Sequence, residues 1–101
     1  MREKKRYLVY EIISERPLKD PTAAIMRHIS STLGLFDSAA AGVLPVKYDK
    51  KRGIIRMNHK YMDKVKCSLM LMNQLDGEDI TIQTLGVSGM IKKAELKYIA
   101  S

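Results

Sequence analysis

A nearly continuous apolar run predicts a first strand over residues 6–15. Its two faces are both apolar, with Leu8, Tyr10 and Ile12 on one side and Tyr7, Val9 and Ile13 on the other. A strand that is apolar on both faces is typical of a central position in a sheet. Glu11 is the exception, and its carboxylate needs a nearby cation to offset the cost of burial. We expect Arg56 to supply that cation.

Three further strands are predicted from short apolar or alternating segments bounded by turn residues. Residues 43–48 read as a strand at the sheet edge, because Pro45 has no N–H to donate to a neighbouring strand. Residues 49–53 then predict a hairpin loop with Gly53 near its end, and residues 54–58 a short returning strand. Residues 80–85 alternate again and form the last predicted strand.

Helical spacing marks two segments between these strands. The first helix has Asp20 as its N-cap and Pro21 at its first position, and it ends at Gly34. Its apolar face contains Thr22, Ile25, Met26, Ile29 and Leu33. Residues 36–41 are rich in small residues and are interpreted as a linker. The second helix covers residues 60–75 and ends before Gly77, with an apolar face made by Tyr61, Met62, Val65, Leu69, Met72 and Leu75.

The order of these elements predicts the fold class. Strand, helix, strand, strand, helix, strand is the ferredoxin-like order, so we expect an α+β, RRM-like antiparallel β-α-β-β-α-β sheet with an added C-terminal helix over residues 88–100. In this topology the first and third strands are central. The length of 101 residues predicts a single domain over residues 1–101.

The junction between the last strand and the last helix carries candidate chemistry. Gly86 can adopt a positive φ at the strand exit, and Ser88 can accept a hydrogen bond from a free amide of the first helical turn. With Lys92, Lys93 and Lys97 close behind, these amides predict a seat for a phosphate. A glycine turn followed by a helix cap accounts for the same residues without any ligand.

The overall charge favours an anionic partner. The chain has 18 Lys and Arg against 11 Asp and Glu, a net charge of +7, which indicates nucleic acid first and an anionic membrane surface second. The single Cys67 excludes an internal disulfide, and no zinc-ligand spacing is present. The basic N-terminus precedes an apolar run too short for a secretory signal, and no window is apolar enough to span a membrane, so we expect a cytoplasmic protein without membrane contact.

Basic residues recur in three parts of the sequence and are the candidate RNA-binding residues. The cations of the hairpin are either an ordinary solvated turn or part of a continuous basic surface with those that follow them. Together with the junction residues, the candidate set is Lys4, Lys5, Arg6, Lys50, Lys51, Arg52, Arg56, Lys60, Lys64, Ser88, Gly89, Lys92, Lys93 and Lys97.

The second half of the long predicted helix is apolar nearly all round. Met70 points away from the apolar face and Leu71 lies off its edge. Such a helix is either wedged between two layers or covered by another chain, and Met adapts well to contact surfaces. Cys67, Met70 and Leu71 are therefore the candidate residues for a protein partner.

Other chemistries are poorly supported. Residues 53–58 lack the aromatics with which RNA-recognition domains stack bases, although Tyr7 or Tyr10 offers one ring. Residues 86–89 match the loop of KH domains but join a strand to a helix rather than two helices. No nucleophile signature, phosphate-binding loop or carboxylate cluster for a metal is present. His28 and His59 could in principle form an acid and base pair for RNA cleavage, but His28 lies on the flank of a helix and His59 just before one, so ordinary surface or boundary roles are favoured several-fold.

From end to end the chain resembles ribonuclease P protein component 2, the archaeal counterpart of a eukaryotic ribonuclease P and MRP subunit. The resemblance is carried by residues 5–14 (KRYLVYEIIS), residues 53–56 (GIIR) and above all residues 84–94 (TLGVSGMIKKA). Relatives often carry Thr where this chain has Met90.

The resemblance implies a non-catalytic subunit of an RNA-based endoribonuclease that removes 5′ leaders from precursor tRNA. By this analogy the chain binds no cofactor itself, while Mg²⁺ acts on the ribonuclease P RNA. The implied partners are that RNA, ribonuclease P protein component 3, other ribonuclease P protein subunits and, indirectly, precursor tRNA. Without the resemblance, charge and pattern leave open a ribosomal-type or other RNA-binding module, a small regulatory ligand-binding domain of ferredoxin-like fold, or a self-sufficient nuclease.

Overall fold

The computed structural model describes residues 4–75, 77–95 and 97. Within them the chain forms six strands, four α-helices and one 3₁₀ turn. In chain order these are β1 (Lys5–Ile13), α1 (Thr22–Leu33), α2 (Leu35–Ala41), β2 (Leu44–Asp49), β3 (Arg52–Asn58), the 3₁₀ turn (His59–Tyr61), α3 (Met62–Leu71), β4 (Gln74–Leu75), β5 (Glu78–Asp79), β6 (Thr81–Ser88) and α4 (Ile91–Ala94).

Four strands form the main sheet in the order β2-β3-β1-β6, and every neighbouring pair is antiparallel. This is the predicted ferredoxin-like arrangement. Because β1 and β3 are central, the doubly apolar pattern of β1 is explained, and Pro45 lies on the edge strand β2 as expected.

The two faces of the sheet are covered differently. On one face α1 and α3 enclose the main core, where Leu8, Ile25, Ile55 and Leu69 are buried. On the other face a smaller cluster forms around Val9, Ile54 and Ala94. Since Ala94 belongs to α4, the last helix covers the face that RNA-recognition domains leave open for base stacking.

The sheet approaches Tyr10 unusually closely at Gly53. A Cβ built on Gly53 would lie 2.3 Å from the phenol ring of Tyr10, across the β1–β3 pair. Gly53 is therefore required by close packing rather than by the turn. The turn itself is made by Lys50 and Lys51, which adopt φ values of 50° and 68°.

Several predicted boundaries are wrong. Residues 36–41 are not a linker, because Leu35–Ala41 forms the helix α2, which ends at Gly42 with φ 57°. The long predicted helix ends at Leu71, and Gln74–Leu75 then pairs with Glu78–Asp79 as the β4–β5 hairpin, with Gly77 at φ 80°. A short two-stranded hairpin repeats too few residues to be distinguished from a helix by periodicity alone.

The prediction for the β6–α4 junction is also wrong in detail. Gly86 is not the strand exit, because it pairs with Val9 inside β6, and the strand continues to Ser88. A bulge leaves Leu85 without a partner in β1. The last helix begins at Ile91 rather than Ser88, and its predicted continuation to residue 100 lies largely outside the described residues.

Glu11 has a different partner from the predicted one. The register places Arg52 opposite Glu11, whereas Arg56 lies opposite Tyr7. The Nε of Arg52 donates to the Glu11 carboxylate at 2.7 Å. The prediction that Glu11 pairs with a cation is confirmed. The prediction that Arg56 is that cation is wrong, because the strand register places Arg52 opposite Glu11.

Candidate nucleic-acid interface

One end of the main sheet collects cations from three separate segments. Here β1 begins, β3 ends and β6 ends, so that Tyr7 lies between Arg56 on one side and Ser88 on the other. The 3₁₀ turn stays close, because the His59 amide donates to the Lys4 carbonyl at 2.9 Å. We call this region the basic end: Lys4, Lys5, Arg6, Arg56, Lys60, Ser88, Gly89, Lys92 and Lys93.

Side chains at the basic end remain accessible to a ligand. Lys4, Lys60, Lys92 and Lys93 are exposed, and Arg56 is half-buried. Four exposed ammonium groups and one arginine concentrate positive potential at this end of the sheet. The arrangement suits a chain of phosphates better than a single small anion.

Arg6 lies directly beside Gly89. Its guanidinium group is 3.6 to 4.0 Å from the position that a Cβ on Gly89 would take. This contact joins the start of β1 to the loop before α4. Arg6 also donates to the Lys5 carbonyl at 2.9 Å, which fixes its direction.

Ser88 orders that loop, although not as the predicted helix cap. Its Oγ accepts the Met90 amide at 3.1 Å and donates to the Met90 carbonyl at 2.9 Å. The N-cap residue of α4 is Met90, which has no side-chain capping bond. The predicted phosphate seat on capped helix amides is therefore not formed, and the lysines of α4 carry the positive charge there.

The hairpin cations lie at the opposite end of the sheet. Lys5 and Ile12 are separated along β1 by about 20 Å at the usual rise of a strand, and the Ile12 amide bonds the Lys51 carbonyl. Lys50, Lys51 and Arg52 are thus not continuous with the basic end. The single basic surface predicted from sequence proximity is divided in two.

Two of the hairpin cations are engaged within the chain. Lys51 donates to the Ser14 carbonyl at 2.9 Å, and Arg52 pairs with Glu11. A neighbouring groove of about 430 Å³ is lined by acidic residues, among them Glu15 and Glu78. The hairpin end therefore has mixed charge.

Lys64 lies in the first turn of α3, four residues after Lys60 of the basic end. Its Nζ is 2.8 Å from the Asp37 carboxylate and 5.6 Å from the centre of the Tyr61 ring. The hydrogen bond to Asp37 raises the pKa of Lys64. The Asp37 carboxylate neutralises much of the Lys64 charge. Lys97, the last of the candidate RNA-binding residues, is exposed.

The three candidate protein-contact residues are all exposed on α3. Met70 and Leu71 are 71% and 66% exposed, and Cys67 is exposed as a free thiol. Cys67 and Leu71 line a groove of about 390 Å³ together with Thr32 and Leu33 of α1. Of the two alternatives for this helix, wedging between layers of its own chain is wrong for these side chains.

Sequence reasoning missed an apolar surface on α2. Leu35 and Phe36 are 81% and 85% exposed, the highest values among the large apolar side chains of the described residues. The interpretation of residues 36–41 as a linker left this apolar surface out of the prediction. The signal was present in the sequence, since Gly34 and Gly42 delimit a seven-residue segment rich in helix-forming alanine.

The two histidines lie on different elements, His28 on α1 and His59 on the 3₁₀ turn. The Nε2 of His28 is 2.7 Å from the Ser68 carbonyl and so joins α1 to α3. His59 begins the 3₁₀ turn that follows β3. Among the described residues no group of three or more His, Cys, Asp or Glu side chains is arranged to hold a metal ion.

Fold and charge together define a small ferredoxin-like domain with one cationic end. The chain belongs to the Rpp14/Pop5 family, whose family model matches residues 6–99. It is 36% identical to ribonuclease P protein component 2 of Thermococcus gammatolerans over 104 residues, covering 99% of this chain and 87% of that protein. The protein of the same name from Archaeoglobus fulgidus is also 36% identical, with 98% and 92% covered.

A solved structure supports the fold independently. A chain in the cryo-EM structure of yeast ribonuclease MRP matches with a TM-score of 0.68 at 19% identity, covering 88% of this chain and 76% of that one. The described helices include none long and apolar enough to cross a membrane.

Proposed function

We propose that this protein is a subunit of ribonuclease P that binds and activates the catalytic RNA for removal of 5′ leaders from precursor tRNA. The observation that carries the proposal is the family match over nearly the whole chain, with relatives named ribonuclease P protein component 2 aligned along most of their own length. Because the alignment runs through both the sheet and the basic end, the function of the relatives can be transferred as a whole.

The RNA contact is made by the basic end. Its cations come from β1, β3 and α4 and lie at one end of the sheet, whereas Arg52 and Lys51 of the hairpin are engaged with Glu11 and Ser14. Phosphate contacts of this kind supply affinity and position without reading bases. Coverage of the second sheet face by α4 argues against recognition by base stacking.

The proposed division of chemistry is the one that the family resemblance implies. The RNA and its Mg²⁺ break the phosphodiester bond, and the protein neutralises phosphates so that the active RNA fold persists. The chain itself contributes no catalytic group and no cofactor.

A protein partner occupies the exposed apolar surface of α3. Ribonuclease P protein component 3 is the proposed occupant, in contact with Cys67, Met70 and Leu71, and further ribonuclease P subunits and precursor tRNA join through the RNA. The proposed location is the cytoplasm. Met70→Asp should abolish co-elution with component 3 in size-exclusion chromatography, while Leu44→Asp, the same kind of change at an exposed apolar side chain of the edge strand β2, should leave the complex intact.

Reconstitution tests the proposal directly. The purified chain should show no cleavage of precursor tRNA by itself, and it should raise the activity of its own ribonuclease P RNA when component 3 is added. The matched control omits only this chain. Cleavage by the chain without RNA, lost in His28→Ala or His59→Ala, would instead make it a self-sufficient nuclease.

A further inference from the structure

The outer edge of β6 is open. In the main sheet β6 is the last strand, and within the described residues it pairs with β1 alone. Its other side therefore presents backbone N–H and C=O groups that form no ladder. Proteins usually protect such an edge, since an unpaired strand is a template for a further strand.

The two edges of this sheet differ in protection. The edge strand β2 carries Pro45, Lys47 and Asp49, all of which discourage strand addition. β6 has none of these. Residues 80–90 contain no charged side chain in a chain that is 29% charged, and Val87 is 40% exposed.

We propose that β6 takes up an extended segment of a partner protein as an additional strand. The open groups alternate donor and acceptor at strand spacing, which matches a polypeptide backbone. The bulge at Leu85 leaves two regular parts, residues 81–84 and 86–88, to make the new ladder. The inference rests on the proposed function, because it assigns one contact of the proposed protein complex.

Charge selects the kind of segment. The uncharged edge fits an uncharged strand, because residues 80–90 offer no oppositely charged side chain to a charged one. A second copy of this chain is disfavoured as the occupant, because each copy carries a net charge of +7. The proposed occupant is therefore an extended segment of component 3, the protein partner proposed above.

Hydrogen exchange tests the added strand. The chain is measured alone and in the reconstituted complex with ribonuclease P RNA and component 3, and amide exchange is followed in β6 and in β2. We expect slower exchange in β6 by about tenfold or more and little change in β2, because new ladder hydrogen bonds form only at the open edge. An active complex in which β6 exchange is unchanged overturns the strand and leaves the proposed function standing.

A pair of matched variants gives a second measurement. Val87→Lys places a cation on the β6 edge, and Leu44→Lys makes the same kind of change on β2, where the side chain is 54% exposed. With equal urea midpoints confirming the fold, Val87→Lys should weaken binding of component 3 by about tenfold, and Leu44→Lys by less than about twofold. Equal effects of the two variants contradict the proposal, as does concentration-dependent dimerisation that Val87→Lys abolishes.

Discussion

Gly53 and Tyr10 set the tightest packing restraint in the sheet. The ring of Tyr10 occupies the space that any side chain on Gly53 would need. Gly53→Ala should therefore lower the free energy of unfolding by about 1–3 kcal/mol, the usual cost of overpacking. Urea denaturation measures it.

Gly89→Ala is the matched control for that change. The nearest atom to a Cβ at Gly89 belongs to the flexible Arg6 side chain at 3.6 Å, which is ordinary contact. Its unfolding free energy should stay within about 0.5 kcal/mol of the parent protein. Equal losses at the two glycines would show that the Tyr10 contact is not the cause.

Tyr10 also makes stability depend on alkaline pH. Burial, followed by the charges of Tyr48 and Asp20, raises the pKa of Tyr10 well above its ordinary value of 10.0. The folded state holds the phenol of Tyr10 neutral, whereas in the unfolded state it loses its proton near pH 10. The contribution of Tyr10 to the free energy of unfolding is therefore complete below about pH 10 and is lost as the pH rises further. Tyr10→Phe should match the parent near pH 7 and show a shallower loss of melting temperature above pH 10; parallel curves would contradict this.

Individual partners were the least predictable feature at this scale. The sequence indicates that Glu11 needs a cation, because the surrounding residues are apolar. Whether Arg52 or Arg56 provides it depends on where the hairpin turns, and a turn made by Lys50 and Lys51 with positive φ is uncommon enough that Gly53 was the more obvious candidate.

At the scale of elements, long amphipathic or alternating segments were predicted well and short ones were not. The strand β1, the edge position of β2 and the helix α1 follow from patterns over many residues. The seven-residue α2, the β4–β5 hairpin and the bulge at Leu85 have no such pattern. Tertiary packing decides these short elements, so local sequence gives little warning of them.

The division of the cations between two sheet ends gives a test with two arginines of similar burial. Arg56→Gln removes a charge from the basic end and should weaken RNA binding and reduce the salt slope by about 0.7–0.9, the value for one phosphate contact. Arg52→Gln removes a charge that pairs with Glu11 and should leave the slope unchanged. Filter binding over a range of salt concentrations measures both, and a larger effect at Arg52 would move the interface to the hairpin.

At the scale of the whole molecule, distance along the sequence did not predict which basic residues lie close together on the surface. Arg52 and Arg56 are near neighbours in sequence, yet an antiparallel strand carries them toward opposite ends of the sheet. Conversely, Arg6 and Gly89 are far apart in sequence and in contact in the fold. Net charge predicts an anionic partner, but only the topology divides the charge into a basic end and a mixed one.

This division predicts how the protein changes the magnesium requirement of the RNA. If the basic end neutralises phosphates, then Lys92→Ala combined with Lys93→Ala should shift the Mg²⁺ midpoint for precursor tRNA cleavage to a higher concentration in the reconstituted enzyme. The control combines Lys19→Ala with Lys50→Asn, which removes two exposed charges outside the basic end and suits the positive φ of residue 50. The control should keep the parent midpoint. Equal shifts in the two proteins would mean that net charge, and not its position at the basic end, stabilises the RNA.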